Sequence, residues 1–266
     1  MTYSMLCSDL DGTLLSTKND VSTETITAIA RIKSKMDVVL VSARMPQGIT
    51  YVQNRLQITN QPIICYNGAL VLHHNKTLFS TTIPIAIVEA ISNTTKAHQA
   101  HLGLYAYHEW HVPCHTERVQ KEIFNTKTNP TYTPTETTLS DWKNKEIGVH
   151  KIMIMGASKE TVDAHQKIVS RLCKDTAHVY RSNDTLLEVT PIKASKLNAI
   201  STLLKAPNTL QSVIAFGDNY NDLEMLTGVG HGVAVANARQ EVLVTIPNHT
   251  KANTANGVAH YIEMHL

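Results

Sequence analysis

Residues 6–15 read LCSDLDGTLL, and two aspartates two places apart, Asp9 and Asp11, close the apolar run at residues 5–7. The run has the length and character of a short buried strand over residues 5–8. Like charges at the end of a buried strand are unfavourable unless something of opposite sign sits among them. If the strand stays extended, alternation puts both carboxylates on one side. Gly12 follows at once and permits a sharp turn that aims backbone N–H groups at an anion.

Outward from this stretch, strand and helix patterns alternate. Ile26, Ile29, Ala30 and Ile32 recur at helical spacing within 23–35, and DVVLVSAR (37–44) holds a second buried strand ending in Ser42. A helix follows over 46–56, with Ile49, Val52 and Leu56 on one face. PIICYNGALVL (62–72) reads as two strands around Asn67–Gly68, a hairpin signal in which Asn67 is a turn residue, and HHNK (73–76) marks a second turn. Continuous apolar strands alternating with helices predict a parallel sheet.

From about 84 to 185 the chain is more polar and richer in His and Thr. Helix-like 85–98, strand-like 102–107 and helix-like 117–124 precede a polar Thr/Pro/Asn stretch at 125–140. Strand-like 150–155, helix-like 159–173 and strand-like 178–181 follow it. The first style resumes at LLEV (186–189), then a helix over 195–204, SVIAFGD (212–218), a helix over 222–226, HGVAVANA (231–238) and a helix near Gly257. The expected fold is α/β: a discontinuous parallel-sheet core, 1–83 with 186–266, carrying an inserted smaller α/β domain at 84–185.

Composition narrows the function classes. With 42% apolar and 17% charged residues among 266, the chain can bury a core. A net charge of +2 with scattered Lys and Arg argues against nucleic acid as the partner. The four cysteines, Cys7, Cys65, Cys114 and Cys173, form no Cys-x-x-Cys pair. Neither a basic, apolar leader nor an apolar run of about 18 residues is present, so a cytoplasmic protein is expected, with no membrane partner.

Ligands of open α/β sheets bind at the C-terminal strand ends. Asp9 and Asp11, Ser42, and Asp218 all stand at such ends. Carboxylates converging there call for a cation, and hard oxygen ligands beside a phosphate-bearing substrate select Mg2+. A carboxylate can then act as nucleophile and form an aspartyl-phosphate. The second acid can protonate the leaving oxygen and later activate water. Lys196, at a helix start, and the Ser42 hydroxyl are suited to holding phosphoryl oxygens.

DLDGTLL resembles the first motif of the haloacid dehalogenase superfamily, DxDGT(L/V), and three more motifs follow in order. VVLVSAR is similar to the second, EVTPIKASKLNAI to the third with its lysine at Lys196, and GDNYNDLEML to the fourth, GDxxND. YNGA and NGVAHYI resemble the Cof-like, type IIB subgroup. The resemblance implies a Rossmann-like core with an inserted C2 cap and a Mg2+-dependent phosphatase of small phosphorylated metabolites, a sugar phosphate or a phosphorylated cofactor.

It also implies roles. Asp9 is the nucleophile and a metal ligand. Asp11 is the general acid/base and binds the metal through its carbonyl. Asp218 completes the ligands, and Asp222 steadies it or a metal-bound water. Ser42, the Leu10 and Ala43 backbone, Lys196 and Asn221 hold phosphate, and Arg44 is placed to reach the substrate. Spacing agrees with the cap: 30 residues lie between Asp11 and Ser42, against about 150 between Arg44 and Lys196. The third motif departs from the usual P-x-G-V-x-K-G, with Lys193 and Leu197 in place of both glycines.

Other readings stand beside this one. A phosphomutase shares the nucleophile and metal, and a non-catalytic phosphometabolite-binding protein shares the scaffold. A calcium loop starting at Asp9 fails, since an EF-hand needs glycine sixth and glutamate twelfth, and Asp20 stands twelfth. His108, His111, Cys114 and His115 suggest a metal only on a helix, which Pro113 opposes, so a solvated hairpin or loop is expected.

Overall fold

The structure, a computed structural model, describes residues 3–17, 19–74, 76–97 and 100–266. In chain order the described strands are β1 (Met5–Ser8), β2 (Asp37–Val41), β3 (Ile63–Cys65), β4 (Leu70–His73), β5 (Lys76–Ser80), β6 (His101–Ala106), β7 (Glu109–Val112), β8 (Thr131–Tyr132), β9 (Lys151–Met155), β10 (Ala177–Asn183), β11 (Leu186–Pro191), β12 (Val213–Gly217), β13 (His231–Val235) and β14 (Asn248–Thr250). The α-helices are α1 (Thr23–Ile32), α2 (Pro46–Leu56), α3 (Ile85–Ala97), α4 (Glu117–Thr126), α5 (Thr135–Asn144), α6 (Lys159–Leu172), α7 (Lys196–Ser201), α8 (Leu223–Gly228), α9 (Gln240–Thr245) and α10 (Gly257–His265). The chain divides into two compact units, Met1–Phe79 with Ser195–Leu266, and Ser80–Ala194.

The first unit is built on a sheet of order β14-β13-β12-β1-β2-β3-β4-β5. The pairs from β14 through β3 are parallel, and β3 pairs β4 antiparallel. β1 lies in the middle, Met5 opposite both Asp37 and Val213, and every residue of β1 is buried. The chain winds outward from β1 to β2 and β3 on one side and from β12 to β13 and β14 on the other. That reversal puts the topological switch point at the carboxyl ends of β1 and β12, where open α/β sheets hold their ligands.

Local signals set the helices. Ser22 caps α1 by accepting from Thr25 N–H, and Ala28, Ile29 and Ile32 face inward. Pro46 opens α2, and Gln57 in the left-handed region closes it.

The second unit is a sheet of order β10-β11-β9-β6-β7-β8, antiparallel except for the β7–β8 pair. Leu102, Leu104, Ile152, Ile154, Leu187 and Val189 pack with Val88, Ile91, Trp142, Val162 and Val169 of its helices. Full burial of such side chains is worth about 1.5–3 kcal/mol each, so this unit has a core of its own.

Several expectations are corrected. LLEV does not return to the first sheet: β11 pairs with β9 and β10, so the boundaries move from 83/84 and 185/186 to 79/80 and 194/195. An apolar run says that a strand is buried but not in which sheet; alternate residues Leu187 and Val189 go beneath the helices of the second unit. The polar stretch 125–140 contains β8 and the start of α5, a helix held by Leu139 and Trp142 rather than by its Thr-rich propensity. α9 and β14 fill the stretch between HGVAVANA and Gly257, for which the sequence pattern predicts no element. The Asn67–Gly68 hairpin exists, but Cys65 pairs with Leu70, leaving four residues in the turn. His98, expected to end a helix, and Asn75, in the HHNK turn, lie outside the described residues.

Candidate active site

β1 ends at Ser8, and Asp9 is still extended, at φ −62° and ψ 160°. The chain then winds through Leu10–Leu14, broken by non-helical angles at Asp11 and by Gly12 at φ +88°. A Cβ on Gly12 would lie 2.6 Å from Asp218 Oδ2, so only glycine allows this approach. Thr13 Oγ1 donates to Asp218 Oδ1 at 2.9 Å, and Asn237 Nδ2 donates to the Gly12 carbonyl at 2.7 Å. The loops after β1, β12 and β13 are thereby tied together. Asp11 is not on the extended strand, and alternation does not decide where its side chain goes; the early turn at Gly12 does.

Carboxylate oxygens of Asp9, Asp218 and Asp222 come within 4.8 Å of one another. Lys196, buried at the start of α7, donates from Nζ to Asp9 Oδ1 and Asp222 Oδ1, each at 2.6 Å. Ser195 fixes that helix start by accepting from Asn198 N–H and donating to Glu224 Oε2 at 2.8 Å. Asp222 Oδ2 accepts from the backbone N–H groups of Asp218 and Asn219, at 2.9 and 3.0 Å. Both Asp222 oxygens are therefore engaged, whereas Asp9 Oδ2 and Asp218 Oδ2 take no hydrogen bond among the described residues.

Burial, against the pull of Lys196, pushes the Asp9 carboxyl well above the usual range, with Asp222 and Asp218 adding to it. Burial and then Asp222 push Asp218 up to about 6. Burial works against the Lys196 ammonium, but Asp222 and Asp9 hold it above its ordinary value. One ammonium against three carboxylates leaves negative charge in excess. With two oxygens still open, the donor set suits a hard divalent cation.

Asp11 points elsewhere. Its carboxylate takes a two-pronged ion pair from Arg44, Nε to Oδ2 at 2.8 Å and Nη2 to Oδ1 at 2.6 Å. Arg44 is buried, while the Asp11 side chain is 53% exposed. Ser42, also buried, accepts on Oγ from Arg44 N–H at 3.2 Å. Leu10 is buried and Ala43 half-buried. Asn221 Nδ2 donates to Asn67 Oδ1 at 3.0 Å.

Of the residues expected at the site, Asp9, Lys196, Asp218 and Asp222 form one hydrogen-bonded or close-packed cluster. Asp11, Arg44 and Ser42 form a second group, and Asn221 joins neither directly. Sequence reasoning missed Thr13, Asn67 and Asn237 as organising residues. Thr13 stands inside the quoted DGT, and Asn67 inside YNGA; Asn237 carried no signal. The histidines of 108–115 do not converge: His111 meets Glu109 and His115 meets Gln120. Among the described residues, the Asp9 group is the one metal-capable cluster of three or more.

A parallel sheet whose switch point carries these acids and this lysine defines a class of hydrolases. The family model of haloacid dehalogenase-like hydrolases matches residues 6–262, and the chain belongs to that family. It lies in the Cof-like branch, among phosphoric monoester hydrolases. A Haemophilus influenzae protein named "putative phosphatase" is 31% identical, covering 99% of this chain and 98% of its own. The 5-amino-6-(5-phospho-D-ribitylamino)uracil phosphatase of Bacillus subtilis is 26% identical over 97% of this chain and 96% of its own. A haloacid dehalogenase-like hydrolase from Bacteroides thetaiotaomicron, 27% identical, has the same fold, with a TM-score of 0.90 over 100% of both chains.

Proposed function

We propose that this protein is a Mg2+-dependent phosphatase that hydrolyses a small phosphorylated metabolite through an aspartyl-phosphate on Asp9. The observation that carries the reading is the buried Asp9 carboxylate, one oxygen held by Lys196 and the other open, beside Asp218 at the strand ends. Asp9 and Asp218 would hold the cation, with the Asp11 carbonyl as the family resemblance implies. Asp222, with both oxygens engaged, steadies Lys196 and the loop of Asp218. When bound, Mg2+ supplies positive charge for the phosphoryl oxygens.

The chain's own residues do the rest. The Asp9 carboxylate attacks phosphorus in line as the bond from phosphorus to the leaving oxygen breaks, and Asp11, turned out of the Arg44 fork and carrying a proton taken up from solvent, gives that proton to the leaving oxygen. Asp11 then accepts a proton from the water that hydrolyses the aspartyl-phosphate. Ser42, Asn221, Lys196 and the N–H groups of Leu10 and Ala43 hold the phosphoryl oxygens. Arg44, bound to Asp11, sets the place of the acid rather than gripping the substrate first.

The unit Ser80–Ala194 acts as the cap that selects the leaving group. A sugar phosphate or a phosphorylated cofactor is the substrate class; the Bacillus subtilis relative, named for a phosphorylated ribitylaminouracil, supports a small phosphorylated metabolite in general. Hydrolysis of p-nitrophenyl phosphate with Mg2+ and then with EDTA tests the reading. Metal-dependent turnover that disappears in Asp9→Asn is expected; full activity in that variant overturns it.

A further inference from the structure

The turn between β3 and β4 is more contorted than a hairpin requires, since two left-handed residues suffice for a tight turn. Here three in succession have positive φ: Tyr66 at +53°, Asn67 at +56° and Gly68 at +95°. Asparagine and glycine tolerate this region; for a bulky side chain such as tyrosine it is strained. Tyr66 is wholly buried, and its N–H donates to the Arg44 carbonyl at 3.2 Å. Asn67 N–H donates to the Ser42 carbonyl at 3.0 Å. Gly68 lies against the Ser195 carbonyl, where a Cβ would sit 2.2 Å away. One corner therefore touches the loop after β2 and the start of α7.

The side chain of Asn67 reaches a third place. Its Oδ1 accepts from Asn221 Nδ2 at 3.0 Å, the one hydrogen bond of the Asn221 side chain among the described residues. An asparagine can serve a phosphate oxygen only with its N–H end, and a free amide can turn either end outward. An acceptor on Nδ2 fixes which end is which.

We infer that Asn67 is a positioning residue: through Oδ1 it fixes the amide of Asn221 so that the remaining N–H of that amide serves the phosphoryl group. The inference rests on the phosphatase reading, in which Asn221 holds phosphate. It assigns the strained corner a purpose that a hairpin alone does not explain.

Asn67→Gly is the clean variant, because glycine adopts the same backbone while the amide is removed. The expected result, with Mg2+ present, is a KM for p-nitrophenyl phosphate raised about tenfold, the scale of one hydrogen bond to a charged group, with a smaller change in kcat. Asn221→Ala should give a similar loss, and the double variant no more than Asn221→Ala alone. Affinity for inorganic phosphate, measured by calorimetry on the same Mg2+-loaded proteins, should follow the same pattern. If Asn67→Gly melts early, Asn67→Asp provides the second test, since its carboxylate still accepts from Asn221; partial recovery of phosphate affinity relative to Asn67→Gly is expected. Wild-type KM and phosphate affinity in Asn67→Gly, or losses that simply add in the double variant, overturn the inference. If the wild type itself shows no Mg2+-dependent turnover, the phosphatase reading has failed instead, and the phosphate-binding comparison still reads the coupling of Asn67 to Asn221.

Discussion

Asp11 is the residue whose surroundings say most about the reaction. Its carboxylate is held in a buried guanidinium's fork, and in the proposed reaction it has to leave that fork to meet a leaving oxygen. General acid help matters for alkyl leaving groups and little for nitrophenolate, which departs without a proton. Asp11→Asn should therefore lower kcat/KM about 10²–10⁴-fold on an alkyl phosphate and far less on p-nitrophenyl phosphate. Arg44→Ala should show the same leaving-group bias, measured on the same two substrates. An equal loss on both would mean that Arg44 grips the phosphoryl group instead. Asp9 bears a second prediction. Burial disfavours its charge, so Asp9→Asn should abolish turnover while the metal-free protein melts no lower than the wild type by calorimetry. The four acids and Lys196 were legible in the sequence because each stands in a motif at a strand or helix end. The Asp11–Arg44 pair was not, because alternation holds only along β1, which ends at Ser8, and Asp11 lies in the turn beyond it.

At the scale of elements, the second unit holds a titratable group with a defined partner set. His150 is wholly buried just before β9; its Nδ1 accepts from Tyr107 N–H at 3.2 Å and its Nε2 lies 3.0 Å from Ser80 Oγ. The first bond requires a bare Nδ1, so Nε2 carries the proton and donates to Ser80. A second proton would face the Tyr107 N–H. Burial pushes the imidazole down to about 4 from its ordinary 6.5. Since the folded value is the lower, this stabilisation is present above pH 6.5 and is lost as pH falls toward 4, amounting to about 3 kcal/mol. In thermal melts from pH 7.5 to 4.5, His150→Gln should lose part of the wild type's acid sensitivity.

The elements that reading by pattern captured, such as α2 with its opening proline and β1 with its apolar run, carry their signals locally. β11 and α5 do not. Leu186–Pro191 is apolar enough for either sheet, and only pairing with β9 and β10 assigns it. Thr135–Asn144 owes its helix to Leu139 and Trp142, which find their partners on other segments.

For the whole molecule, charge and metal are the measurable properties. A net charge of +2 without a basic cluster predicts no salt-sensitive binding to oligonucleotides, checked by fluorescence anisotropy across a salt series. Among the described residues, no helix is long and apolar enough to cross a membrane. Excess negative charge around Asp9, Asp218 and Asp222 predicts that Mg2+ raises the melting temperature and EDTA reverses the gain. Asp218→Asn should remove most of that response while leaving the second unit's own core untouched.

The first unit is made of two lengths of chain with the whole second unit between them, and this sets an order of events during synthesis. Asp9 and Lys196 are 187 residues apart. At translation rates of about 5–20 residues per second, Asp9 emerges from the ribosome roughly 10–40 s before Lys196. β1 likewise waits for β12. Ser80–Ala194 is continuous and needs no such wait. Ser80–Ala194 can thus take shape on the nascent chain while the sheet of the first unit is still unfinished, so in an incompletely made molecule Asp9 stands without the lysine that holds it.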